Sequence, residues 1–522
     1  MKRFQEFIPD YASAIEVHDN VVTFEVDASK INDVARYLYA DQRLTLKVID
    51  ATDERVQSKC FKVWYVFGLP DEALFVVPYI KLTGKTTSFP SVTPTIHAAG
   101  QYERKIRTMF GLEPIGNPDS RPVILHENWP QGVYPLRKDF DASTRPAVAN
   151  GTYEFQKVEG EGVYEIPVGP IHAGIIEPGH FRFSVAGESI MLLEARLGYV
   201  HKGHEKLFEQ LPMPAKLRLA EKISGDSSFS HSLAFCLAIE RLAGIVVPER
   251  ANYLRTIYAE LERVAAHLGD IGFIMLDTGF NFGGANGARL REMVMRINER
   301  LTGSRFLRGI NTIGGVTKDI TDEQASELSN DLRTILKDFL EVIGIIEDSA
   351  SLNNRLRGAG PLAIGVGLDY GVVGVPARAV GITRDVRAEH PYAAYGKLPK
   401  RPVALQESGD VYARFHVKIE EVQASVGLIQ DALAKLPSGK IASQTVVKLK
   451  KSAVAVGCVE GWRGEIVHVV MTGEDGNVSR VIVRDPSFVN WQVLGYCGQG
   501  QVVPDFPLIN KSFNLSYTGN DL

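Results

Sequence analysis

Several short stretches hold residue types at spacings that could do chemistry. In "SGDSSFSHS", Ser224–Ser232, Ser224 and Ser227 stand at the spacing of a Cys-x-x-Cys metal clamp, but both are serines. Hydroxyls are hard donors that stay protonated near neutral pH, so they do not replace soft thiolates. The alternative is a helix start, with Ser227 or Ser228 capping the free N–H groups of "FSHSLAFCLAIERLAGI". Glu260, Arg263 and His267 are spaced by three and four and fall on one helix face, which suits a polar relay or a buried packing network. His201 and His204 in "HKGHEK", with Glu205, have helical metal-ligand spacing, yet a structural role or a contact with another subunit fits them as well. The glycines of "RGAGPLAIGVG" do not follow the strand–turn–helix order of a dinucleotide fingerprint. No nucleotide site is evident.

These groups need elements to position them, and 522 residues allow two or more domains. Apolar residues make up 45% and charged residues 23%, ordinary for a globular chain. The net charge of −4 gives no global field toward nucleic acid or anionic lipid. The spacing of Cys60, Cys236, Cys458 and Cys497 makes neither a metal ribbon nor a disulfide framework. "MKRFQEFIPDY" lacks a signal-peptide core, and the apolar run Pro361–Ile382 is interrupted by Asp369, Arg378, prolines and glycines. A cytoplasmic chain that docks onto a membrane rather than crossing it is expected.

Residues 1–145 read as an α+β domain. "VVTFEVDAS", "CFKVWYVFGL" and "ALFVVPYIKL" suggest strands, and "ASKINDVARYLYADQ" a helix with Ser29 near its start. Residues 146–162 are polar and aperiodic, a linker. From 163 to 522, "YEIPVGP" and "FRFSVAGESIMLLEARLG" suggest strands, after which helical patterns dominate. Leu254, Ile257, Leu261, Val264 and Leu268 form one apolar stripe. Long helices are expected over 322–356 and 410–436, and a hairpin around "EDGN" near the end.

Specific motifs now add a resemblance. "YERKIRTMFGL", "GNPDSRPVIL" and "WPQGVYPLRKDF" resemble the small hydrophilic-arm (C-type) subunit of respiratory complex I. "PVGPIHAGIIEPGHFRF", "GYVHKGHEK", "FSHSLAFCLAIERLAGIVVPERA", "ELERVAAHLGDIG", "RGAGPLA", "ITRDVRAEHPYAAY" and "RDPSFVNWQ" resemble, in order, the large subunit of nickel–iron hydrogenases and its complex I (D-type) relative. The resemblance covers most of the chain. It implies an α+β domain followed by a mainly α hydrogenase-large-subunit-like domain with small β-sheets.

In that family four thiolates hold nickel and iron. The resemblance puts Ser224, Ser227, Ser487 and Asn490 at those positions, so no metal ligand set is expected. Cys236, nine residues past Ser227, lies about 13 Å further along a helix and does not reach the same point. The complex I quinone residues fall on Asp277, Gly225 and Ile176, of which only Asp277 keeps its type. His172 matches another family histidine, and His180 offers an alternative donor. The resemblance further implies a proton-passing role for Glu177, against a turn-forming one, and an inward-pointing Arg357 over the old metal position, against a structural ion pair. Glu177, Asp277 and the Glu260–Arg263–His267 face would couple protons or motion to the redox step.

The expected role is a subunit of a membrane-associated, respiratory-type oxidoreductase complex, related to NADH-quinone oxidoreductase and hydrogenase. It would sit beside an iron–sulfur subunit and other hydrophilic-arm subunits, on integral-membrane ion-translocating subunits at the inner face of the cell membrane. It would bind no cofactor of its own. Electrons would reach a quinone-like or other small acceptor in the emptied cavity. A redox-inactive scaffold is the alternative, with an active nickel–iron hydrogenase third.

Overall fold

The computed structural model describes residues 2–70, 72–444 and 446–522. Strands β1 (Ser13–His18), β2 (Val21–Glu25), β3 (Thr45–Glu54), β4 (Cys60–Leu69) and β5 (Leu74–Thr83) form one sheet in the order β1-β2-β5-β4-β3. Only β2 and β5 run parallel; the other neighbours are antiparallel. Val21, Val22 and Phe24 are buried on both faces, which is why "VVTFE" reads as a continuous apolar run rather than an alternation. Helix α1 (Gly100–Phe110) lays Tyr102, Ile106 and Met109 on this sheet and stops at Gly111, whose φ of 68° is left-handed. The helix expected over "ASKINDVARYLYADQ" is shorter. It spans Ile31–Arg36 and widens over Tyr37–Asp41, and Asp27, not Ser29, supplies the capping oxygen for the turn before it.

Beyond a stretch without helix or strand, β6 (Val163–Val168), β7 (His180–Ala186) and β8 (Ser189–Arg196) form an antiparallel sheet. Helices α2 (Ser228–Ala243), α3 (Glu249–Asp277), α4 (Asn281–Thr302), α5 (Asp322–Glu347) and α6 (Val411–Ala434) follow. The continuous helix expected over 322–356 breaks after Glu347. Ser349 there accepts from the Leu352 N–H and starts a second helix, Ala350–Leu356. Glycines bring α3 and α4 together, since a Cβ at Gly287 would lie 2.4 Å from the Gly272 Cα. Strands β9 (Val454–Gly461), β10 (Gly464–Thr472) and β11 (Val478–Arg484) make an antiparallel meander under α2. Helix α7 (Pro486–Asn490) and a tail ending in the short helix Tyr517–Asp521 complete the chain. Helices and small sheets thus occur in both halves.

The halves meet on buried ion pairs. Lys105 Nζ of α1 is 2.9 Å from both Asp50 of β3 and Glu205, and Arg480 of β11 is 3.1 Å from the same two carboxylates. Beside them Lys47 and Arg484 share Glu465. Among the described residues, no helix is long and apolar enough to cross a membrane.

Candidate functional site

Ser224 and Ser487 converge on one residue that sequence reasoning missed. The Ser224 hydroxyl donates to the Ser516 hydroxyl at 2.9 Å, and the Ser516 N–H donates to the Ser487 hydroxyl at 2.9 Å. Ser224, Ser227, Ser487 and Asn490 are all buried, none more than 2% exposed. Asn490 holds the backbone of Val373 with both ends of its amide, at 3.1 and 3.0 Å. Trp491 Nε1 donates to the Ser516 carbonyl at 3.2 Å, closing the site from α7. Ser516→Ala is expected to cost about 1–2 kcal/mol, because it removes the hydroxyl that caps the short helix Tyr517–Asp521 by accepting from the Gly519 N–H at 2.9 Å; denaturant unfolding measures it.

A line of charge runs past these hydroxyls. Ser224 also donates to Asp226 at 3.0 Å, and Arg463 grips Asp226 bidentately at 2.6 and 2.8 Å. On the other side Asp485 accepts from the Ser487 N–H at 2.7 Å, capping α7, and pairs with His231 Nε2 at 2.9 Å. His231 Nδ1 in turn meets His468 at 3.1 Å. Burial disfavours a charge on Asp485, but His231 and the cap hold its carboxyl below the usual range.

The helix that opens here is not capped by Ser227 or Ser228. Glu262 of α3 does that work: it accepts from the Phe229 N–H at 2.7 Å and the Ser230 N–H at 3.1 Å, and from the Ser230 hydroxyl. The Ser228 hydroxyl turns back to the Gly225 carbonyl instead. A carboxyl reaching across from a neighbouring helix serves two donors at once, which a serine does not. Burial lifts Glu262 to about 7 against the pull of its donors, with Asp226 adding repulsion. A carboxyl raised in the fold stabilises most below its unfolded value of about 4. That contribution is lost as pH rises through about 7. Glu262→Ala should therefore cost about 1–3 kcal/mol of unfolding free energy. Glu262→Gln, an uncharged mimic of the protonated acid, should match the wild type below about pH 4 and become the more stable of the two as pH rises through about 7.

The structure brings some predicted residues here and sends others elsewhere. His172 Nε2 lies 3.3 Å from the Tyr517 hydroxyl, and Glu177 accepts from the Thr518 N–H at 3.0 Å, so both meet the tail that carries Ser516. Gly225 offers its carbonyl to Arg308 at 3.1 Å. Ile176 is half-buried against the core. His180 sits at the base of the same loop, 3.4 Å from the Gly169 carbonyl, where burial lowers its basicity.

Arg357 is a correction. It does not point into a cavity: it is exposed at the end of the helix Ala350–Leu356, with its guanidinium 3.7 Å above the Tyr412 ring. Asp277 is exposed at the last turn of α3, about 22 Å along the axis from Glu262 at about 1.5 Å per residue. Glu260, Arg263 and His267 are fully buried in a separate ionic cluster with Arg387, Arg378 and Glu421. His201 and His204 lie against the last residues of the chain. His201 Nδ1 contacts the Asp521 carbonyl at 2.7 Å, the His204 backbone N–H donates to the Leu522 carbonyl, and Glu205 belongs to the seam. Among the described residues, no three histidine, cysteine or acidic side chains gather as a metal site.

With this geometry in place, the chain can be set beside known proteins. Residues 24–146 match the family of the respiratory-chain NADH dehydrogenase 30 Kd subunit, and 277–454 and 447–521 match that of the 49 Kd subunit. Formate hydrogenlyase subunit 5 of Escherichia coli is 34% identical over 506 residues, covering 96% of this chain and 89% of that protein. The C/D subunit of the NADH-quinone oxidoreductase of Phocaeicola vulgatus is 33% identical over 399 residues, covering 72% of this chain and 76% of its own. A chain from the structure of an archaeal membrane-bound sulfane sulfur reductase superposes with a TM-score of 0.65 at 27% identity, covering 69% of this chain and 99% of that one. The protein belongs to the fused 30/49 Kd-type subunits of complex I and its hydrogenase relatives.

Proposed function

We propose that the protein is the hydrogenase-type large subunit of a membrane-associated, complex I-like oxidoreductase complex. It sits against an iron–sulfur subunit and, through partner subunits, on an ion-translocating membrane arm at the inner face of the cell membrane. Its own chain holds no nickel–iron centre. One observation carries the reading: in a chain so similar to formate hydrogenlyase subunit 5, the clamp-spaced positions Ser224 and Ser487 are buried hydroxyls tied together through Ser516. Hydroxyls already bonded to one another are poor ligands for a soft metal.

Electrons from the neighbouring cluster would then reach a small acceptor rather than a metal. A cavity of about 90 Å³ lies beside the site, lined by Asp226, Glu262, Asp270, Asn298 and Trp462. Its size supports a compact acceptor, and a relative named as a sulfane sulfur reductase supports an acceptor other than a quinone. Glu262, on the wall of this cavity, is placed to supply a proton. The second reading is a redox-inactive scaffold, favoured by the hydrogen bonds that tie Ser224 and Ser487 to Ser516.

Metal analysis of the anaerobically isolated native complex tests the first step. Iron is expected at the level of the partner's clusters, with nickel absent. Nickel near one per chain would overturn the reading.

A further inference from the structure

A second buried site lies where α3, α6 and β9 meet, and its charges do not balance. Four carboxylates face one another there: Glu260 of α3, Asp385 in the turn Asp385–Glu389, Glu421 of α6 and Glu460 of β9, none more than 4% exposed. Three guanidiniums answer them. Arg263 contacts Glu260 at 3.3 Å and Glu421 at 3.5 Å. Arg378 contacts Glu421 at 2.7 Å and Glu460 at 2.9 Å. Arg387 contacts Asp385 at 2.6 Å and Glu260 at 3.2 Å. An unmatched charge in such a place is expensive, so the cluster favours one added proton.

The geometry selects where that proton goes. His267 gives its Nε2 to Glu421 at 2.8 Å, while its Nδ1 is buried without a partner. A protonated imidazole would strand that second N–H, so the ring stays neutral. Glu260 is held by two arginines and the Tyr395 hydroxyl, Asp385 by a bidentate Arg387 and its own helix cap, and Glu421 by two arginines and His267. Glu460 receives one guanidinium N–H, from Arg378, and the Val386 N–H at 3.1 Å. It has the least cationic support of the four.

Beside Glu460 is a cavity of about 20 Å³, room for one water. It reaches Glu389, Lys47, Glu465 and Arg484 at the seam, with Arg384 on its wall. Lys47 and Arg484 are engaged by Glu465, and Arg384 is half-buried without a carboxylate at ion-pair distance among the described residues. Tyr392 faces the cluster too, and its hydroxyl oxygen accepts from the Glu460 N–H at 3.1 Å.

We infer that this cluster is a proton-binding site that takes up one exchangeable proton, on Glu460, through the water-sized cavity it shares with Glu389. Proton transfer is the only chemistry involved: a water-borne proton adds to a Glu460 carboxylate oxygen and returns by the same route. Burial and the neighbouring Asp385 also raise the Glu460 carboxyl to about 7, so the site would fill and empty near neutral pH. The site does not depend on which acceptor the complex reduces.

Infrared difference spectroscopy of the full chain tests it. Wild type minus Glu460→Gln should show the carbonyl stretch of a protonated carboxyl below neutral pH. The band should fade with a midpoint near about 7, and it should shift in D2O. Glu460→Gln should unfold at the wild-type temperature at about pH 4 and at a higher one as pH rises through about 7, because the amide mimics the protonated acid. Glu460→Asp, which keeps a carboxyl, should move the band rather than abolish it and serves if the glutamine variant does not fold. The inference is overturned if neither variant alters the carboxyl region, if the band survives Glu460→Gln but vanishes in Glu421→Gln or Asp385→Asn, or if no shift appears in D2O.

Discussion

Replacing Arg480 with methionine is expected to cost the fold about 3–5 kcal/mol, among the largest losses any single side chain here should produce. Arg480 and Lys105 together balance Asp50 and Glu205 inside the seam between the halves. Without the guanidinium, two carboxylates share one ammonium in a place that water does not reach. The loss is the penalty of the orphaned charge, more than the worth of the pair. Adding Asp50→Asn to the same chain should therefore restore a large part of the stability, although it removes another ion-pair member. Denaturant midpoints of the two singles and the double form a cycle that checks this. A double variant no more stable than Arg480→Met alone would mean that packing, and not charge, sets the cost.

Gly457→Ala should be nearly as damaging, at about 3 kcal/mol, although it adds one methyl group. Gly457 lies in β9 directly beneath α2, and a Cβ there would stand 1.9 Å from the Ala234 carbonyl oxygen. The Ala234 oxygen is backbone and the position of a Cβ is fixed by the strand's own backbone, so neither a rotamer change nor a small shift of one side chain relieves the contact. The helix must lift from the sheet, and α2 carries His231, which holds Asp485 and His468. The expected result is a lower unfolding midpoint together with weakened order at α7. Gly344 in α5 is the matched control, because a Cβ there meets nothing within 4 Å. In that helix interior, Gly344→Ala should stabilise by about 0.5–1 kcal/mol.

How far the sequence discloses such features depends on whether they are local. The helix 411–434 and the hairpin 464–484 follow from periodicity and turn residues close together in the chain. The break after Glu347 is equally local, yet apolar spacing that continues through it hides it. Ser224 stands out by its spacing from Ser227, but Ser516 carries no pattern at all. Glu262 escapes sequence reasoning for a different reason. Helix α3 reads as an apolar stripe with a polar flank, but it is buried on nearly every side, so its charges are internal partners rather than a solvated face. Resemblance placed Arg357 over the site, and the local chain places it outside on Tyr412, in extended backbone just past the helix Ala350–Leu356.

The hydroxyl bridge also has a bearing on time. Ser224 and Ser516 are separated by 292 positions, so their bond closes a loop of more than half the chain. Contacts of such long range form late, after the intervening elements have found one another. The site is therefore the keystone of the large half. Ser516 is made after every element it closes over, so Ser224 gains this partner only once that segment has been added.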